Sequence, residues 1–494
     1  MILGYSTFGY EGLLVNVEVD LRRGIPAMDI VGIADNCVKE VRERVRCAIR
    51  NTGFSNPTER VLISLSPADV KKDGASWDLP IALGILEKVY EKDISDMVLV
   101  MGELGLSGKV RPVRGINAGL QQAYAQGIKY AIIPQCENIE VPSGMRVVSV
   151  GNLSEAFNFY TNLASVPEKV AEEESSEIQF ADLERCEESL DNVKNHNFLK
   201  YAMAVAVAGR HHLIVWGAPG CDKTVMLQRI NQLLPKLLQN EKHSVRRIYS
   251  LAGLDGMYDN NTLRPIRMPH QTASIEGMCG GGVNCRPGEI TLAHNGVLFL
   301  DEAAEFRSSV LQMLRVPMEQ KSITLSRAGR QTVYPANFQL VMAFNPCPCG
   351  NYGSKDRVCL CSARSVEQYW RKFSSPLLGR VAIRVDVSNE LDEKYFTLTE
   401  LRELIKTAWT RQFNRQGKLN NDLESYEIEK YIHLTTDAKT YLAKCNLNNL
   451  ETREVLKLAR TLADIHSNTE SETVDLVYVK CAMTLHATTP LETL

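Results

Sequence analysis

The chain has 494 residues, 44% of them apolar, and a formal net charge of −3, which suits a protein of roughly three domains and excludes a globally basic one, so any nucleic-acid contact must be local. No apolar run approaches the ~18 residues needed to cross a bilayer, and Met1-Ile2-Leu3-Gly4 lacks the charged-then-apolar order of a secretory signal. Thirteen cysteines, odd in number and scattered rather than framed as in a small secreted scaffold, fit a reducing compartment and place the expected location in the cytoplasm.

Residues 1–165 alternate strand-like runs (Leu14 to Val19, Val61 to Leu65, Val98 to Met101, Tyr130 to Ile133) with helical stretches (Val38 to Asn51, Ile116 to Gln126), the pattern of an α/β unit. From Glu168 to Glu188 nine acidic residues face only Lys169 and Arg185, so 166–189 reads as a solvated acidic linker.

After a helix over Lys200 to Ala208, the run Leu213 to Thr224, LIVWGAPGCDKT, is a hydrophobic strand leading into a glycine-rich turn that ends in Lys-Thr at a helix start. That is a nucleotide phosphate cradle: Gly217, Ala218, Pro219, Gly220, Cys221 and Asp222 form the loop, Lys223 would reach the β- and γ-phosphates, and the Thr224 hydroxyl would hold Mg²⁺. One position departs from G-x-x-x-x-G-K-[ST]. Asp222 replaces the second glycine and sets a Cβ and a carboxylate beside the polyphosphate path.

Val297 to Glu302, VLFLDE, is a short apolar run ending in two acids, as for a buried parallel strand delivering Asp301 to the Mg²⁺ and Glu302 to the attacking water. Lys321 to Val333 alternates polar and apolar residues around Ala-Gly and reads as a β-hairpin carrying Lys321, Arg327 and Arg330. The strand Phe338 to Phe344 ends in Asn345, whose amide could position water against the γ-phosphate. Cys347, Cys349, Cys359 and Cys361 follow in a loop, 345–362, whose turn-rich middle could fold back to close a tetrahedral structural Zn²⁺ site; the four could equally be free thiols. Arg380 offers a cation to the site of a neighbouring subunit, because phosphoryl transfer is catalysed mostly by positioned charge. The core therefore spans 190–390. Residues 395–494 are mainly helical, with apolar residues at helical spacing in Phe396 to Arg411, Tyr426 to Thr435, Thr452 to Ser467 and Val474 to Leu485.

Through PHQTAS at 269–274, RPGEITLAHNGVLFLDE at 286–302 and NPCPCG at 345–350, the chain resembles the AAA+ ATPases and, within them, the magnesium-chelatase-like YifB/ComM group. The resemblance runs over nearly the whole chain. It implies an α/β fold in three parts: a ribosomal-S5/Lon-like N-terminal α/β domain, a P-loop AAA+ three-layer α/β/α core, and a C-terminal helical lid over the nucleotide. It also implies a homo-oligomeric ring, expected to be a hexamer, that uses ATP and Mg²⁺ to drive branch migration of single-stranded or branched DNA during DNA uptake. In such rings the hairpin faces the central pore, where Lys321, Arg327 and Arg330 would grip phosphates.

Lys72-Asp73-Gly74-Ala75-Ser76 lies where Lon proteases, similar in this N-terminal part, carry their nucleophile. The position of the Lon lysine is Asn117, an amide that cannot take the serine's proton, so Ser76 reads as a turn residue and proteolysis is not expected. Two more positions depart from the relatives: Leu450 stands in place of a phosphate-sensing arginine, with Arg453 three residues on as a substitute, and Gly379 replaces an aspartate before Arg380. These departures keep two alternatives open, a pseudo-ATPase ring that binds without cycling and a chelatase-like protein-remodelling ATPase.

Overall fold

The computed structural model describes residues 1–32, 35–67, 75–92, 94–136, 139–168, 178–181, 189–193, 196–254, 262–282, 285–327, 330–353, 357–387, 395–467 and 473–486. Lys72, Asp73 and Gly74 lie outside these. Residues 2–166 build a seven-stranded mixed sheet in the order Met28–Val31, Arg60–Ser66, Leu13–Arg22, Ile2–Ser6, Val98–Val100, Tyr130–Pro134, Arg146–Val150. Successive strand residues point to opposite faces, and both faces are covered. Ile2, Val98, Val100 and Ile132 pack under the helices Asp35–Asn51 and Asp78–Val89. Leu3, Tyr5, Leu99, Met101, Ala131 and Ile133 face the helix Ile116–Ala125. Leu251 and Tyr334, from the next part of the chain, complete that second face.

The central sheet is five-stranded and parallel, in the order Ile266–Arg267, Val297–Leu300, Gln339–Phe344, Leu213–Trp216, Ile383–Asp386. Each inner strand is buried on both sides, so it reads as a continuous apolar run. Leu213, Val215, Phe299, Val341 and Ala343 pack on one side with the helix Asn197–Gly209; Ile214, Trp216, Leu298, Met342 and Phe344 pack on the other with Trp370 and Phe373. The C-terminal edges of Leu213–Trp216 and Val297–Leu300 therefore meet side by side with Gln339–Phe344 between them, which brings distant loops to one rim.

The hairpin expected at 321–333 pairs Ser322–Arg327 with Arg330–Pro335, Arg327 opposite Arg330. One side leans on the N-terminal domain, where Tyr10 N donates to Thr332 Oγ1 at 2.9 Å and the Tyr10 and Tyr334 rings meet edge to face at 5.8 Å. The helix Gln239–Ala252, which the sequence reading did not single out, fastens the two domains. Its Arg247 donates to the Tyr10 and Glu11 carbonyls at 3.0 and 3.1 Å and lies over the Tyr10 ring, while Arg246 and His243 both reach Glu140.

The C-terminal part is helical as expected: Leu398–Gln416, Ser425–Tyr431, Thr436–Lys444, Asn449–His466 and Leu476–Leu485. The helix foreseen over 426–435 stops at Tyr431, because His433–Leu434 pairs with Thr473–Val474 as a short parallel strand, and Thr436–Lys444 is a helix that the sequence reading missed. Leu398–Gln416 starts on a Thr397/Glu400 capping box and lays Leu401, Ile405 and Trp409 against Asn197–Gly209. Trp409 Nε1 donates to Val207 O at 3.1 Å and Gln412 Nε2 to Ala208 O at 2.8 Å, so the module is bolted to the core.

Candidate functional site

The strand Leu213–Trp216 runs into the turn Gly217–Asp222, and the helix Lys223–Gln228 begins at once. Gly220 takes φ +86° with open space where a Cβ would stand, the freedom that a cradle requires. Asp222 is also left-handed, at φ 42° and ψ 21°, and exposed, so a residue with a Cβ occupies a backbone state that glycine adopts without strain. Lys223 is buried and donates to the Gly217 and Ala218 carbonyls, both at 2.7 Å. Burial lowers its pKa, opposed by the charges of Cys221, Asp301 and Asp386. Thr224 Oγ1 donates to Asp301 Oδ1 at 3.0 Å, and the same oxygen accepts from Glu302 N at 2.9 Å. Glu302 has φ 48°, a second non-glycine residue in the left-handed region at this rim.

Pro219 to Val225, Asp301, Glu302 and Asn345 line one cleft of about 650 Å³, together with Gln271, Ala304, Glu305, Phe344 and Tyr369. Residues from three sheet edges thus converge where a hydroxyl–carboxylate pair, a lysine, a second carboxylate and an amide can surround a Mg²⁺-bound polyphosphate. The donor set fits ATP, and Gln271 Oε1, buried at this wall without a hydrogen-bond partner, is a further sign that the cleft is shaped for a ligand. Gln271, Glu305 and Tyr369, whose hydroxyl donates to Asn345 O at 2.9 Å, were not singled out from sequence. Gln271 lies within the string PHQTAS, so only its role was missed. A larger cavity, about 930 Å³, opens between Lys236–Asn240 and the helix Leu398–Gln416, and among the described residues no acidic one lines it.

Family descriptions cover most of the chain: subunit ChlI of Mg-chelatase matches residues 17–137, magnesium chelatase subunit ChlI matches 189–395, and its C-terminal part matches 397–483. The competence protein ComM of Haemophilus influenzae is 33% identical over 480 residues, 94% of this chain and 93% of that one. The chain belongs to the magnesium-chelatase-like proteins of the YifB/ComM type. YifB of Escherichia coli is 34% identical over 478 residues, 93% of this chain and 92% of its own. Shorter likenesses link it to the Lon protease of Mesomycoplasma hyopneumoniae, 26% identical over 30% of this chain, and to the DNA repair protein RadA of Escherichia coli, 30% identical over 23%. Membership in this AAA+ family brings ATP binding with Mg²⁺ and the ATPase class. No helix among the described residues is long and apolar enough to cross a membrane.

Other expected site residues of this YifB/ComM-type chain lie apart from the cleft. Arg380 donates to Pro376 O at 2.6 Å and pairs with Glu319 at 2.5 Å, and it is not among the residues that line the cleft. Leu450 is beside Gly379, since a Cβ on that glycine would come within 3.7 Å of Leu450 Cβ, and Arg453 is exposed. No described residue of 395–486 lines the cleft. The helices are held against the core by the apolar face of Asn197–Gly209 and by Arg384, which is buried and bonds Glu451 at 3.1 Å.

Lys321 is not a free cation at the hairpin tip. It stands at the hairpin's foot, its Nζ 2.9 Å from Asp422 Oδ1. Arg327 and Arg330 face each other in the backbone register next to the turn, and their side chains lie outside the described ones. In the N-terminal domain Asn117 is buried with its Oδ1 accepting from Glu140 N at 3.0 Å, a structural bond, and Ser76 sits in the single turn Ala75–Trp77.

The cysteine loop closes as its spacing allowed. Cys347, Cys349, Cys359 and Cys361 bring all four sulfurs within 4.8 Å of one another, with Sγ–Sγ distances of 3.4 to 3.7 Å among the first three. Four thiolates bound tetrahedrally to zinc at ~2.3 Å would be about 3.8 Å apart, so the donor set fits that ion. A backbone N–H from Asn351, and then Cys347, push the Cys349 thiol down to about 6, whereas burial pushes Cys359 up to about 12 and Cys361 is raised as well, so these four sulfurs hold one favoured thiolate and the fit to zinc rests on their geometry.

Proposed function

We propose that this chain is an ATP-hydrolysing motor that remodels single-stranded or branched DNA, working as a ring of six copies. The observation that carries the reading is the convergence of Lys223, the Thr224–Asp301 pair, Glu302 and Asn345 on one cleft. In this reading Lys223 leaves the Gly217 and Ala218 carbonyls to neutralise phosphate charge, and Thr224 and Asp301 hold the Mg²⁺ that spreads charge off the phosphates. Glu302 accepts the proton of the attacking water, Asn345 orients that water, and Arg380 serves the cleft of the next copy. Arg327 and Arg330 grip the DNA backbone, and the four cysteines hold a structural Zn²⁺ beside the cradle. The names of two relatives, a competence protein and a DNA repair protein, support DNA as the substrate.

The deciding experiment is ATP turnover with and without forked or single-stranded DNA, run beside Lys223→Ala. DNA-stimulated turnover abolished in that variant is the expected result; turnover equal in both proteins would sink the motor. The second reading, a ring that binds nucleotide without cycling, is favoured by the exposed, left-handed Asp222 alone. It predicts ATP binding with no turnover under any DNA condition.

A further inference from the structure

Two apolar side chains on the cysteine loop have little packed on them. In Val358-Cys359-Leu360-Cys361 the two sulfurs join the four-thiol cluster, whereas Val358 and Leu360 are 80% and 90% exposed. Solitary exposed leucines are ordinary on protein surfaces. Two of them one residue apart, on a segment pinned by converging sulfurs, instead form a small rigid apolar tip.

The loop that carries the tip adjoins the nucleotide cleft. Asn345, two residues before Cys347, lines the cleft, and Gly350 approaches the cradle so closely that a Cβ there would fall 2.6 Å from Pro219 Cγ. Among the described residues, none that lines that cleft is an arginine. The cation suited to complete it, Arg380, is held elsewhere by Glu319, and one helical turn before Glu319 the side chain of Val316 is 54% exposed. One surface thus presents an apolar tip beside an incomplete cleft; another presents an apolar spot beside a cation with no cleft of its own. A head-to-tail contact between identical chains needs two such unlike, complementary patches.

We propose that Val358 and Leu360 seat on the surface around Val316 of a second copy of this chain, so that the docking which delivers Arg380 also covers the cysteine-loop tip. The inference rests on the ring reading above and deepens it by naming the contact. It also gives the cysteine cluster a task, which is to hold the tip rigid for docking.

The test is sedimentation velocity of the full-length protein with Mg²⁺ and a non-hydrolysable ATP analogue, over a concentration series, for wild type, Val358→Ser/Leu360→Ser and Val316→Ser. Both variants should require at least tenfold more protein to assemble while keeping the wild-type melting temperature and, at concentrations where all three proteins are monomeric, the wild-type affinity for a fluorescent ATP analogue. Assembly of either at wild-type concentrations overturns the inference and leaves the ring intact. A wild type that stays monomeric with nucleotide overturns the ring reading and the inference with it. A photo-crosslinking benzoylphenylalanine at position 360 supplies an independent measurement in otherwise unaltered protein: cross-links to residues 315–320 of another copy are expected, and cross-links confined to the same chain or to a different surface overturn the contact.

Discussion

Among single residues, Asp222 decides most about the cradle. Its carboxylate is exposed, so its repulsion of a bound polyphosphate is screened to ~1 kcal/mol, and its left-handed backbone adds ~1 kcal/mol or more of strain that glycine lacks. Asp222→Gly should therefore tighten ATP binding about fivefold, since 1.4 kcal/mol is a tenfold change, and raise the melting temperature. Isothermal titration and a thermal melt read both; an unchanged dissociation constant would remove the charge from the explanation. The cradle, Asp301, Glu302 and Asn345 were legible because strand ends that carry polar residues after apolar runs announce themselves in sequence. Gln271 was not, because a lone amide carries no local pattern and gains meaning only when a fold sets it against a cleft.

At the scale of elements, the hairpin separates cations that looked alike in sequence. Lys321 pairs with Asp422 at the foot and Asn337 Nδ2 reaches the same carboxylate at 3.4 Å, so both ends of the hairpin hold one residue of the C-terminal module. Arg327 and Arg330 flank the turn. Replacing both arginines with alanine should weaken single-stranded DNA binding regardless of sequence and flatten the log–log salt dependence by about 1.4, at ~0.7 per phosphate contact; superimposable salt curves would show that the hairpin does not grip DNA. Lys321→Ala should leave that salt slope alone and lower stability by ~1–3 kcal/mol, a buried-pair cost discounted because Lys321 is partly exposed. A denaturation midpoint equal to wild type would dismiss the foot as a structural tie. Strand period foretold the hairpin, but which of its cations was already spent could not be read from it, since Asp422 lies 101 residues away.

Over the whole molecule, one device braces the central sheet, a second ties two domains together, and each can be tested. Buried neutral histidines tie the base of the central sheet: His212 Nδ1 accepts from Leu340 N and His294 Nδ1 from Asn337 N, both at 3.0 Å. Burial pushes their pKa down to about 3 and about 4, against an ordinary 6.5. The unfolded chain therefore takes up these protons first, so their stabilisation is complete above pH 6.5 and is lost as pH falls towards 4 and 3. Each costs about 1.4 kcal/mol per pH unit in that window, or about 4 kcal/mol for the pair between pH 7 and pH 5; His211 and His486, which burial pushes down to about 3 and about 4, add to the loss, and Asp78, which burial raises to about 6, offsets part of it. Urea midpoints at those two pH values check this, and equal midpoints would contradict it. Glu241, pulled down to about 2 mainly by Arg264 and Arg210 against its burial, loses its stabilisation only below pH 4.5 and does not confuse the comparison. The second device is Arg247. Arg247→Ala removes two hydrogen bonds and a cation–π contact to the N-terminal domain, ~2–4 kcal/mol together, and should split a single calorimetric unfolding transition into two. One transition at the wild-type temperature would mean that the apolar contacts of Leu251 and Tyr334 suffice.

What the sequence determined by itself was of short range: strands at the centre of both sheets, the phosphate cradle and acidic strand end, and the cysteine spacing that lets four sulfurs converge, though the helices Gln239–Ala252 and Thr436–Lys444 escaped it. These follow from neighbours along the chain, whose backbone geometry fixes where their side chains go. Tertiary structure alone decided which groups share a space. It seated the C-terminal helices on the core, because the apolar face of Asn197–Gly209 gives Trp409 and its neighbours a surface to bury against. It also left Arg380 out of the lining of its own nucleotide cleft and set Leu450 beside Gly379, since contacts between segments far apart in the chain depend on packing that no local pattern encodes.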